Sequence, residues 1–295
     1  MADKLQNLAL RSAFLRAVRD FFYSAGFLEV ETKVRIAAPA PEEYIEAVPS
    51  GEQFLRTSPE LEMKCLLADG MQKIFQIGSC FRLGEFGRKH REEFTMLEFY
   101  AAKWDYLTLA NFTASLVMET AQKLFGTTKV NFWGKSYDLG RATFITVDDA
   151  FKRYAGVSAF QADADGTFDE RMVTKVEPEL GKEGLTFLMD YPANRASLSK
   201  ISEVDPRVAR RWELYLGGVE LANAFGELTD AAEQKERFQK SAAFRASQNM
   251  ARYPEPEAFF AALDKGLPES SGCALGIDRL VMILCNADNI GDVRA

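Results

Sequence analysis

The 295-residue chain holds a single histidine, His90, and only four cysteines. Cys65, Cys80, Cys273 and Cys285 fall into no paired metal-ligand spacing and read as reduced, core-filling thiols of a cytoplasmic protein. No run of about eighteen apolar residues occurs, so no membrane-spanning helix is expected. The opening MADKLQNLAL lacks a signal-peptide pattern. A surplus of positive charge is missing as well. Lys and Arg number 36 against 43 Asp and Glu, for a net charge of −7. That balance argues against a large nucleic-acid footprint and leaves room for a local cationic patch. Neither an internal repeat nor a low-complexity linker is visible. What is present is an ordinary globular composition, 47% hydrophobic and 27% charged. The chain is long enough to bury a large core, as one big domain or two modest ones.

The most informative stretch runs from Phe75 to Trp104. Within it, Glu93-Phe94-Thr95-Met96-Leu97-Glu98-Phe99-Tyr100 is rich in β-formers, without Pro or Gly, and predicts a strand. A period of two puts Phe94, Met96, Glu98 and Tyr100 on one face and Thr95, Leu97 and Phe99 on the other. The second set suits a core. The first places a carboxylate and a phenol among apolar groups, which suits the floor of a pocket. Between this strand and another at Phe75-Gln76-Ile77 lies Gly84-Glu85-Phe86-Gly87-Arg88-Lys89-His90-Arg91. A cationic hairpin tip over an acidic pocket suits a substrate with phosphates at one end and an ammonium at the other. The plain alternative is a solvated hairpin.

Elsewhere the chain is punctuated by caps. Asn7 to about Ala25 predicts a helix ended by Gly26, with Leu8, Leu15, Val18 and Phe22 on one face, and Phe27 to Glu31 a strand. Residues 34–52 read as an irregular connection. Ser58 and Pro59 open a helix to about Ala68, whose first-turn Glu60 and Glu62 either favour the helix dipole or serve a ligand. Asp105 caps a helix ended by Gly126. Thr146-Val147-Asp148-Asp149 opens a short helix that stops before Gly156, and Thr229-Asp230 opens one to about Met250. A further helix is predicted over Glu255 to Leu263, and strands over Thr186–Tyr191, Ala196–Ile201 and Trp212–Leu216. In Val219–Leu228, Glu220, Asn223 and Glu227 cannot share one face of a regular strand, and Gly226 is the expected bulge. The two carboxylates either face solvent from an edge strand or meet a cation. Gly272–Gly276 predicts a small-residue strand close to a ligand, and Ile277–Cys285 a helix. Arg279 at its start can pair, as a structural residue, with an acid such as Asp278.

Three of these segments carry a resemblance. Phe81-Arg82, Arg88, His90 and Glu93 to Glu98 resemble motif 2 of class II aminoacyl-tRNA synthetases, lysyl branch, and Gly272 to Met282 resembles motif 3. The long first helix with Gly26 to Thr32 resembles motif 1, except that Lys33 stands where that motif ends in proline. The resemblance covers nearly all the chain. It implies an α+β fold, a mostly antiparallel sheet flanked by helices, with one catalytic domain over residues 1–295, a family insertion at roughly 126–185 and, through motif 1, a homodimer. It also implies ATP and Mg2+. Arg82 and Arg279 would be catalytic. Arg82, Glu85, His90, Phe94, Glu220, Leu221, Gly276 and Arg279 would surround ATP, and Glu220 and Glu227 would hold the metal. Ser58, Glu60, Glu98, Tyr100, Asn223, Glu227 and Ala274 would bind the amino acid. Many relatives place a glutamate two positions after the motif 2 arginine. Here Gly84 takes that position and Glu85 follows, which leaves open which of them meets the adenine amino group.

Motif 1 begins so near the start that the anticodon-binding domain of lysyl-tRNA synthetases is expected to be absent. Stand-alone lysyl-type cores are similar to the paralogue branch that activates β-lysine and attaches it to a lysine of elongation factor P. Val219–Asp230 looks closer to that branch, as does Ala274, where lysyl-tRNA synthetases usually have glycine. A methyl there trims the pocket beside the α-carbon, and a β-amino acid carries its amine one carbon further on. Neither tRNA nor a membrane is then expected as a partner. Three rivals stand beside this expectation. One is a core that charges tRNA or another small acceptor with lysine. Another is a tRNA-independent amide-forming ligase, for whose aspartate substrate a cationic pocket would be expected. The third is an inactive regulatory module, against which the presence of Arg82, Glu220, Glu227 and Arg279 speaks.

Overall fold

The computed structural model describes residues 2–295. α1 (Ala2–Ser24) starts ahead of Asn7, whose amide is no cap and donates instead to the Asp292 carbonyl at 3.2 Å. It ends where Gly26 takes φ 76°. β1 (Leu28–Glu29) follows, then a small sheet of β2 (Arg35–Ile36), β3 (Pro49–Ser50) and β4 (Gln53–Leu55). α2 (Glu60–Ala68) leads into the hairpin of β5 (Lys73–Phe81) and β6 (Glu93–Ala102). α3 (Tyr106–Phe125) is capped as its sequence predicts: Asp105 accepts from the Thr108 N–H at 2.6 Å and Gly126 closes it at φ 68°. Next come β7 (Lys129–Phe132), β8 (Lys135–Thr146), α4 (Val147–Ala150), α5 (Ala159–Ala164), α6 (Phe168–Arg171) and β9 (Gly184–Pro192). β10 (Val208–Leu216) and β11 (Val219–Gly226) form a second hairpin. α7 (Ala231–Ser247), α8 (Glu257–Gly266), β12 (Ser270–Gly276) and α9 (Ile277–Leu284) complete the chain.

Nine strands make one sheet in the order β1-β5-β6-β12-β11-β10-β9-β8-β7, antiparallel except at β1/β5 and β8/β9. One face of it packs on α1, α3 and α9. Phe22 stacks on Phe75 at 4.6 Å, and Phe99, Leu97, Cys273 and Leu275 join the same core. Over the other face, α2, α7 and α8 bury Met63, Phe238 and Phe259 with Tyr100 and Ile74, and leave a cleft beside them. Of the residues expected to form an insertion, 129–146 supply the last two strands of the sheet. Only the helical segment after them builds its own small core, with Phe151, Phe168 and Val176 against Leu188, Tyr191 and Tyr215. The strand expected at Ala196–Ile201 does not form. A 3-10 turn covers Ala193–Arg195, and Ser197 sits at φ 50°, which breaks the extended run and leaves only isolated bridges at Ser199 and Ile201. Among the described residues no helix is long and apolar enough to cross a membrane.

Candidate active site

Strand register lays out the floor of the cleft. Residues directly opposite one another in neighbouring antiparallel strands project from the same face. One such row crosses five strands: Gln76, Glu98, Ala274, Asn223 and Glu213. A second row runs Ile74, Tyr100, Gly272, Phe225 and Arg211. All the site residues expected from the sequence line one cleft of about 860 Å³, from Ser58 and Glu60 at one end to Arg82, His90 and Arg279 at the other. The register between β10 and β11 slips after Leu214, so Leu221 is the extra residue. That bulge, rather than one at Gly226, brings Glu220 onto the face of Asn223; Gly226 itself pairs regularly with Ser271.

The first end of the cleft is an acidic socket. Tyr100 donates its hydroxyl to Glu98 Oε1 at 2.5 Å, and Ser58 donates to Glu98 Oε2 at 2.8 Å. Ser58 Oγ also accepts from the Glu60 N–H at 3.0 Å, so one hydroxyl both holds the first N–H of α2, whose N-cap position is Pro59, and orients the pocket carboxylate. Glu98 and Glu227 are each 1% exposed. Burial, then the charge of Glu60, pushes the Glu98 carboxyl up to about 8. Burial likewise pushes Glu227 up to about 7, against the opposing pull of Lys64. Gly272 is required here, because a Cβ would run into the Tyr100 ring and Glu227 Oε1.

The other end is cationic. The Arg82 guanidinium lies 5.1 Å over the Phe94 ring, and its buried Nε has no partner among the described residues. Arg279 donates to the Glu220 carbonyl at 2.9 Å and to Glu220 Oε2 at 3.3 Å. Its Nη2 lies 2.7 Å from His90 Nε2. A guanidinium can only donate, so His90 accepts through an unprotonated Nε2, which places its proton on Nδ1. Burial, then the Arg279 charge, holds His90 below its usual range, in the neutral form this contact needs. Gly84 has φ 79°, a turn position suited to glycine, while Glu85 enters the cleft 3.8 Å from Arg82.

The structure corrects the expected metal pair. Along an extended strand at about 3.3 Å per residue, Glu220 and Glu227 stand roughly 20 Å apart, and Glu227 is already paired with Lys64 at 2.5 Å. They cannot share an ion. Glu213, which the sequence reading passed over, is the better companion for Glu220. It lies on the cleft face opposite Asn223, one bulged step from the Tyr215–Glu220 pair. Burial, then the charges of Glu213 and Glu220, raises the Glu177 pKa, which puts both carboxylates in one electrostatic neighbourhood. Glu220 is 40% exposed and makes one long side-chain contact, so it can turn toward an ion. Two further groups went unread. Lys64 is buried behind the socket. Gln234 lines the cleft at 0% exposure, with neither amide atom partnered among the described residues.

A family model described as tRNA synthetases class II (D, K and N) matches residues 2–295. A curated protein of Proteus mirabilis (strain HI4320), named Elongation factor P--(R)-beta-lysine ligase, is 37% identical, with 99% of this chain and 94% of the relative covered. Proteins of the same name from Pectobacterium carotovorum subsp. carotovorum and Salmonella dublin are 37% and 36% identical. Those matches cover 98% and 99% of the chain and 94% of each relative.

Proposed function

The chain belongs to the class II tRNA synthetases of the D, K and N group, and on that premise we propose that it is an ATP-dependent ligase that activates (R)-β-lysine and transfers it to a lysine of elongation factor P. The relatives' name supplies the isomer and the acceptor. In this chain the reading is carried by one observation: a single cleft joins a pair of guanidinium groups to a buried acidic socket, with the Ala274 methyl in the row between Glu98 and Asn223.

In the first half-reaction a carboxylate oxygen of the amino acid attacks the α-phosphorus of ATP. The bond to the bridging α–β oxygen breaks, and pyrophosphate leaves with the electron pair. Arg82 directs donors, its unpartnered Nε among them, at the charge that builds on the α-phosphate. Arg279, fixed by His90 and Glu220, meets the outer phosphates. Phe94 offers its ring to adenine, and Glu85 stands beside Arg82 for the exocyclic amine. Glu98, Tyr100 and Glu227 receive the side-chain ammonium, and Ser58, Glu60 and Asn223 the region of the other amine. In the second half-reaction the acceptor amine, arriving deprotonated, attacks the acyl carbon. The acyl–phosphate bond breaks, AMP leaves and the amine sheds a proton.

Glu213 and Glu220 fit Mg2+, an ion held by one or two carboxylates and completed by substrate phosphates, where it neutralises phosphate charge. Exposed Leu5 and Tyr23 on α1 and Leu28 on edge strand β1 support a homodimer through that region. The free thiols agree with a cytoplasmic setting.

ATP–pyrophosphate exchange with (R)-β-lysine and α-lysine, followed by mass spectrometry of elongation factor P, tests the reading. Exchange is expected to be at least about tenfold more efficient with the β-isomer, with the acceptor gaining one β-lysyl group. Efficient charging of bulk tRNA with α-lysine and an unmodified acceptor protein would overturn it.

A further inference from the structure

Lys64 is 1% exposed and is not among the residues that line the cleft. It sits one helical turn after Glu60 on α2, with its Nζ 2.6 Å from Glu60 Oε1. The same Nζ is 2.5 Å from Oε2 of Glu227, which follows β11. One ammonium therefore ties the helix that roofs the socket to the strand that floors it. Two oxygens held by one nitrogen at these distances lie within about 5 Å of each other, close enough that without the cation one carboxylate would be driven to take up a proton. The lysine itself stays charged. Burial works against that, but Glu227 and then Glu60 outweigh it and raise its pKa. The three carboxylates Glu60, Glu98 and Glu227 against one buried ammonium leave the fully ionised socket two positive charges short of neutrality. A diamino acid brings two ammonium groups.

We propose that Lys64 is a positioning residue that sets the charge of the socket, by clamping Glu60 to Glu227 so that the remaining deficit matches a substrate with two ammonium groups. The proposal rests on the ligase reading above and deepens it: the substrate class is dicationic, and the match is made by a residue that never touches the substrate. Removing Glu227 then leaves too little negative charge, and removing Lys64 leaves carboxylates that must share a proton in place of the ammonium clamp; changing both restores an ionised pair, Glu60 and Glu98. A purely structural role for this ion pair would also be eased in the double variant, but its losses would appear in the melting temperature and in the KM for ATP as well as in the KM for lysine.

The test is a double-mutant cycle in pyrophosphate exchange on the full-length chain, with Lys64→Met, Glu227→Gln and the pair. Each single variant is expected to raise the KM for the lysine isomers at least tenfold and to leave the KM for ATP within about twofold. The double variant, again two positive charges short of neutrality, is expected to bind lysine more tightly than either single. Should Lys64→Met fail to fold, the comparison of Glu227→Gln with the double variant decides alone. An unchanged KM in Lys64→Met, or a double variant weaker than Glu227→Gln, overturns the proposal. Absence of exchange in the unmodified chain with any diamino acid would instead overturn the ligase reading.

Discussion

The two ends of the cleft hold opposite charge in opposite ways. At the nucleotide end the charged groups are within reach of water: the side chains of Arg82, Arg279 and Glu220 are 23%, 20% and 40% exposed. At the amine end Glu98, Glu227 and Lys64 are each 1% exposed. The guanidinium groups lose little on meeting solvated phosphates, and their fixed fork geometry suits a charge that develops only during the reaction. The socket carboxylates have already lost their water, at a cost that a matching ammonium offsets. The nucleotide end is thus suited to rate and the amine end to selection. Substitutions at the two ends should separate kcat from KM.

The largest expected effect is at the first end. Arg82→Ala should lower the rate of pyrophosphate exchange by at least about a thousandfold, the scale of losing a transition-state donor. Its melting temperature should stay close to that of the unmodified chain, since among the described residues the guanidinium makes one long ion contact, at 3.8 Å, beside its packing over Phe94. Exchange within tenfold of normal would remove Arg82 from the chemistry. At the other end, Glu98→Gln keeps the shape while deleting one charge, with one hydroxyl still donating to the amide oxygen and the other accepting from its NH2. KM for lysine should rise by about a hundredfold, as expected for a buried charged partner, with kcat at saturation nearly unchanged. A fall in kcat with constant KM would abolish the division of labour between the two ends.

Local signals carried most of the framework. The caps at Asp105, Thr146 and Asp230 and the left-handed glycine at 126 act within a turn of their own residue, so the sequence shows them directly. The alternation of β6 was equally readable, because one face meets a core and the other a cleft. What stayed hidden depends on partners far along the chain. Glu213 joins the site only through its register opposite Asn223, and the bulge at Leu221 that turns Glu220 is a property of two paired strands. Lys64 resembled any helix lysine until its burial against Glu227 was seen. Ser197 at φ 50° carries no glycine to announce the break in its expected strand. Cleft membership was legible from motif resemblance. The division of carboxylates between metal and ammonium was not, because spacing along one strand says nothing about which side chains meet.

The smallest expected effect separates the two ends by pH. In the free protein Glu98 and Glu227 are raised to about 8 and about 7, with burial the leading cause, from an unfolded value of 4.5. The folded state therefore keeps protons that the unfolded chain sheds above pH 4.5. Their contribution to stability is complete below that value and is lost as pH rises through 7 to 8. A dicationic ligand needs the same carboxylates ionised, so its affinity should move the other way and improve between pH 6.5 and 8.5. Over that range His90, depressed below 6.5, stays neutral in the folded protein and adds little. The free protein should lose on the order of 5 °C in melting temperature across this window, and Glu98→Gln should remove most of that slope. Calorimetry of lysine binding near pH 7, in two buffers of different ionisation enthalpy, should register about one proton released from the socket. AMP binding at the cationic end should release almost none. Equal proton release at both ends would mean that the socket carboxylates are ionised before the substrate arrives, and the contrast between solvated and desolvated charge would fail.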